Sequence, residues 1–204
     1  MLSYFKDFGC KFSLKTTCEI GIQLIEALQI LHKAGYVHND LKLDNILVGD
    51  RDSSFKSLSE IKLIDLGFNT RYVTRKGEHI TEELKYSKGN IAFASKNVLN
   101  GIVPSRRDDL ISLTYMLLYM LTGSFKFLNI NIQGDKYEKI CYQKYIATVK
   151  TLSRKLCKPF NEFIKEVFVM QFSEDPNYDS LKSKLQKIIT DKGLQCDRVF
   201  DWNK

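Results

Sequence analysis

Positions 38–45 of the chain read His38-Asn39-Asp40-Leu41-Lys42-Leu43-Asp44-Asn45, and Asp65-Leu66-Gly67 follows a short apolar stretch. These are groups that a phosphoryl transfer needs, because that reaction asks a protein for positioning and charge stabilisation more than for covalent chemistry. Asp40 can take the proton of an attacking hydroxyl. Lys42, two residues on, can point a cation at the transferring phosphate, and Asn45 offers an oxygen ligand of the kind magnesium prefers. Asp65 brings a second carboxylate toward the same metal, and Gly67 is the residue expected to let the backbone turn there. His38 is read as a packed support for the loop, neither acid nor base. Two other readings of the carboxylates remain open at this point, a glycosidase-like pair or an N-cap and a turn residue. Neither explains Lys42 and Asn45 at their offsets.

Regular elements must hold these groups. Ser13 is placed to cap a helix in which Ile20, Leu24, Ala27, Leu28 and Leu31 recur at helical spacing until Ala34-Gly35. Tyr36-Val37 leads into the loop, and Ile46-Leu47-Val48 and residues 61–64 read as a two-stranded ribbon around a polar insert at 49–60. Residues 66–104 have weak periodicity, as a long functional segment does. Ser105 and Asp108 then open a helix over about 105–121 that is apolar nearly all round, with Leu110, Leu113, Met116, Leu117 and Met120, so it belongs in the centre of the fold. Further helices are expected at about 135–149, 159–170 and 178–190. The expected fold class is mainly α with one short β ribbon carrying the two loops.

A chain of 204 residues with 44% hydrophobic content can bury one sizeable core, so residues 1–204 are read as a single domain. No signal-peptide pattern and no apolar run of membrane-spanning length occur, and the expected location is intracellular, cytoplasmic or nuclear, without membrane contact. The five cysteines form no C-x-x-C pair, which argues against a zinc site or a disulfide framework and for reduced thiols. The formal net charge of +7 is spread along the chain, with a modest concentration at 150–158 read as a solvated face. No aromatic-basic recognition motif accompanies it, and no nucleic-acid partner is expected.

Further runs make the chain resemble the C-terminal lobe of the casein kinase 1 family of serine/threonine protein kinases. Lys11-Phe12-Ser13-Leu14-Lys15-Thr16 resembles that family's entry to the helix before the loop. Phe93-Ala94-Ser95-Lys96-Asn97 stands where the family has Y-A-S-I-N in place of A-P-E. Ser105-Arg106-Arg107-Asp108-Asp109-Leu110 matches its S-R-R-D-D-L, and Lys136-Tyr137-Glu138-Lys139-Ile140, Leu156-Cys157-Lys158 and Phe200-Asp201-Trp202 have close counterparts. The resemblance implies a catalytic loop at 36–45 and an activation segment at about 65–97. It implies transfer of the ATP γ-phosphate to Ser or Thr of protein substrates, acidic ones among them, with ATP and Mg2+ as cofactors. By the same resemblance Asp40, Lys42 and Asn45 are catalytic, Asn45 and Asp65 hold the metal, and Leu47 with Asp65 meets the nucleotide, Leu47 as a floor under adenine. Asp109 would hold the loop backbone, while Asn90 and Lys136 face the substrate.

The departures narrow this reading. Asn39 replaces the usual arginine of H-R-D, Leu66 replaces a phenylalanine, and Gly89-Asn90-Ile91-Ala92-Phe93 replaces G-T-A-R-Y. Asn90 thus stands where a threonine would contact the catalytic Asp and Lys, and Ala92 removes a guanidinium fork suited to phosphate-primed substrates. The 39 residues before Asp40 carry no glycine-rich loop, no V-A-I-K-type lysine and no helix with its partner glutamate, so the N-terminal lobe is expected to be missing. Tyr4, Phe5, Phe8, Leu47 and Leu66 are then expected to lie uncovered and to invite a partner. The alternative function is a kinase-derived binding or scaffold module without turnover, since losing the clamp on ATP loses binding energy and alignment.

Overall fold

The computed structural model describes residues 1–49, 59–84, 90–124, 144, 152 and 156–203. In chain order it contains α1 (Leu2–Asp7), α2 (Leu14–Lys33), β1 (Tyr36–Val37), a 3-10 turn (Leu43–Asn45), β2 (Ile46–Val48), β3 (Ile61–Leu63) and β4 (Thr70–Arg71). There follow α3 (Lys96–Leu99), α4 (Arg106–Thr122), α5 (Lys158–Val169), α6 (Tyr178–Thr190) and a last 3-10 turn (Asp201–Asn203). Strand β2 pairs antiparallel with β3, and β1 with β4. Among these residues no helix is long and apolar enough to cross a membrane.

Local chemistry starts and stops the helices that matter. The Ser13 hydroxyl accepts from Thr16 N at 3.2 Å and caps α2. At the head of α4, Asp108 reaches back to accept from Ser105 N at 2.9 Å, and Gly123 closes the helix with φ 71°. A Cβ on Gly123 would also come within 2.5 Å of Cys10 O, so strain and space both demand glycine there.

Helix α4 is buried on every side, with Leu110, Leu113, Met116, Leu117 and Met120 in the core. Helix α2 packs on α4, α6 and β3, and α5 closes the bundle against α4 and α6. At Gly21 an added Cβ would lie 2.8 Å from Leu185 and 3.1 Å from Leu117, so α2, α4 and α6 meet there because one position carries no side chain. The bundle fixes the two ends of α2 and α4 from which the loops hang.

The described part of residues 66–104 holds β4, a Val73–His79 bridge and α3. The β1–β4 pair that the sequence did not announce is held by buried Tyr72, whose N–H donates to Gly35 O at 3.1 Å and whose hydroxyl donates to His32 O at 2.6 Å. Phe5 is not exposed: it is 1% accessible, on α1, with its ring 5.2 Å from Phe12 and 5.3 Å from Tyr119. Tyr4 is half covered, its ring 5.1 Å from Trp202. The chain's end brings that cover, with Lys15 Nζ donating to Val199 O at 2.7 Å and Asp201 N to Thr16 Oγ1 at 2.9 Å. Apart from Lys144, the expected helix at 135–149 lies outside the described residues, as does the insert at 50–58.

Candidate functional site

The loop between β1 and the first 3-10 turn gathers three of the chemistry-bearing side chains. Asp40 is 3% exposed, and its Oδ2 accepts from Lys42 Nζ at 2.6 Å and from Asn45 Nδ2 at 2.9 Å. Asn45 Nδ2 also donates to Asp40 O at 2.9 Å, which leaves the amide oxygen as the atom it can offer a cation. A buried carboxylate held between an ammonium and a carboxamide is oriented by both.

The backbone under this trio is fixed by one carboxylate. Asp109 Oδ2 accepts from His38 N at 2.7 Å, and Oδ1 accepts from Asn39 N at 2.9 Å. Asn39 lies in the left-handed region at φ 61°, which asparagine tolerates better than most residues. His38 is fully buried, with Asp40 N donating to its Nδ1 at 3.3 Å. The proton therefore sits on Nε2, which donates to Ile64 O at 3.1 Å. That last bond ties the loop to the end of β3, as does Ile64 N donating to Asn45 O at 2.9 Å.

Asp65 sits at the other edge and is exposed. The turn expected at Gly67 is made by Asp65 itself, at φ 65°, because its Oδ1 accepts from Gly67 N at 3.1 Å and stabilises the bend. Among the described residues this is the carboxylate's one hydrogen bond. Leu66 follows it in sequence and Leu47 lies on β2, 50% and 47% exposed, with Phe68 at 41%. One carboxylate and one amide oxygen are donors for a hard cation that completes its shell with water and phosphate oxygens, so they fit magnesium. Among the described residues no cluster of three or more His, Cys, Asp or Glu can hold a metal alone.

Asn90 lines a small polar recess together with Asn39, Asp40, Asp108 and Asp109, and its Oδ1 accepts from Ala92 N at 2.9 Å. Lys136 lies outside the described residues. Two supports escaped the sequence. Asp108 Oδ1 accepts from Ser95 Oγ at 2.5 Å and from Asn97 Nδ2 at 3.1 Å, which ties α3 to α4. Burial raises the Asp108 carboxyl above its ordinary value, against the opposite pull of Ser95, Ser105, Arg107 and Asn97. Fully buried Lys144 donates to Ile91 O at 2.9 Å and Ala94 O at 2.8 Å, with Nζ 4.7 Å from the Tyr115 ring centroid. Asp108 was readable as a cap from its spacing to Ser105; nothing local marks Lys144.

Residues 2–190 match the family model described as the protein kinase domain.

Proposed function

The chain belongs to the protein kinase domain family, and from that premise we propose that it is the casein kinase 1-like lower lobe of a serine/threonine protein kinase. In this reading Asp40 accepts the proton of a substrate Ser or Thr hydroxyl, held to that task by Lys42 and Asn45. Lys42 also faces the transferred phosphate. Asn45 Oδ1 and Asp65 hold Mg2+, which when bound neutralises phosphate charge, and Leu47 underlies the adenine of ATP. Asn90 and Lys136 face the protein substrate, with acidic proteins preferred.

The observation that carries the reading is the trio on Asp40: a carboxylate 2.6 Å from Lys42 and 2.9 Å from Asn45, on a backbone clamped by Asp109. A glycosidase needs two facing carboxyl groups and has no use for that lysine and asparagine. The test is ATP-dependent phosphorylation of casein by the chain and by its longest natural transcript product, with Asp40→Asn beside each. Asp40→Asn should lower transfer about 10²–10⁴-fold. Equal rates in the variant, or no transfer from either protein, would refute the assignment.

A second reading is a binding module without turnover. Leu47, Leu66 and Phe68 favour it, because they form exposed apolar surface beside the site, 47%, 50% and 41% accessible, that a partner would cover.

A further inference from the structure

Beyond the transfer residues, a buried polar chain runs from the start of α6 to the catalytic-loop candidate. Tyr178 is the first residue of α6, 8% exposed. Its hydroxyl lies 2.7 Å from His32 Nδ1, and His32 Nε2 lies 2.9 Å from Asp109 Oδ2. Asp109 is 2% exposed and holds His38 N and Asn39 N at 2.7 and 2.9 Å. Three helices thus meet behind the loop, α6 through Tyr178, α2 through His32 and α4 through Asp109.

With a neutral His32 ring, the donors and acceptors along this chain assign every proton. A carboxylate can only accept, so His32 Nε2 must carry a proton to satisfy Asp109. In the neutral ring Nδ1 is then an acceptor, and the tyrosine hydroxyl is its donor. Burial pushes the Tyr178 phenol well above its ordinary value, which keeps that proton in place. We propose that Tyr178 is a positioning residue, whose hydroxyl fixes the His32 tautomer and thereby the aim of Asp109 at the catalytic-loop amides.

The charged and titratable surroundings of His32 are few. Asp109 faces it from α4 and Tyr178 from α6. Tyr72 lies after β4 with its ring 6.3 Å away, and its hydroxyl donates to His32 O at 2.6 Å. Arg106 of α4 lies over Tyr72, 4.9 Å from its centroid, and pairs with Asp175 at 2.7 Å. Lys33 on its own helix and Asp179 beside Tyr178 line the same cleft of about 230 Å³. Without the Tyr178 hydroxyl, Nδ1 is left to water or to a second proton, and Asp109 then faces an imidazolium that pulls its oxygens from the two amides.

The test needs no nucleotide, so its failure is separable from failure of the kinase reading. Nitrogen-15 NMR of His32 in the full chain reports the tautomer, and hydrogen exchange reports the His38 and Asn39 amides. Tyr178→Phe keeps the ring and removes only the hydroxyl. Tyr72→Phe is the matched control, because it removes a hydroxyl bonded to the same histidine's carbonyl and not to its ring. The native chain should show an unprotonated Nδ1 at neutral pH. Tyr178→Phe should make the two amides exchange about tenfold faster relative to core amides and change the His32 nitrogen-15 tautomer signature. Tyr72→Phe should leave the tautomer and the amide exchange unchanged. A proton on Nδ1 in the native chain, unchanged amide exchange in Tyr178→Phe, or equal effects in the two variants would overturn the proposal.

Discussion

The two edges of the site are held in opposite ways. Asp40 is 3% exposed, and the loop beneath it is pinned by Asp109, His38 and the end of β3. Asp65 is exposed and its carboxylate takes one hydrogen bond among the described residues, from a glycine two residues on, while Leu47 on β2 and Leu66 are about half accessible at 47% and 50%. The same fold therefore pre-organises Asp40, Lys42 and buried Asn45, and leaves open Asp65 and Leu47, the second metal group and the group assigned to adenine. Pre-organisation costs nothing at the moment of reaction, whereas an exposed apolar edge is the kind of surface that marks an interaction site.

Substitutions can break this contrast. The largest loss of folding stability is expected from Asp109→Ala, which strips the acceptor from the buried His38 amide, the part-buried Asn39 amide and His32. Urea denaturation should register about 3–5 kcal/mol. Lys144→Met keeps the length and apolar stem of the side chain but orphans the carbonyls of Ile91 and Ala94. It should cost about 2 kcal/mol by the same measurement. Leu47→Ala should cost less than about 1 kcal/mol, because half of that side chain is in water in the native state. Asp65→Asn should fall within about 0.5 kcal/mol of the parent chain. If Asp65→Asn proved as damaging as Asp109→Ala, the contrast between the two edges would fail.

The sequence disclosed those parts whose signal is local. Helices α2, α4 and α6 could be placed because Ser13, the Ser105/Asp108 pair and regular apolar spacing mark them. The Asp40, Lys42 and Asn45 offsets disclosed the trio on one loop. Helix α1 was missed because its six residues are too few to show a period, and because Trp202 reaches its Tyr4 from near the far end of the chain. The turn at Asp65 was misplaced to Gly67, since glycine is the usual signal for a turn and an aspartate's own side-chain bond is not. Lys144 and the Tyr178–His32 link were illegible for one reason. Their partners are 50 and 146 positions away, so only the packed bundle brings them together.

The measurement that bears most directly on the site is the melting temperature of the chain with and without millimolar Mg-ATP, repeated with Asp65→Asn and with EDTA. A nucleotide that binds only the folded chain stabilises it by mass action, by about 2.7 kcal/mol at a hundredfold excess over Kd. The account predicts a rise for the parent chain that disappears with EDTA and in Asp65→Asn. An unshifted melting temperature in the parent chain, or an equal rise in Asp65→Asn, would contradict it.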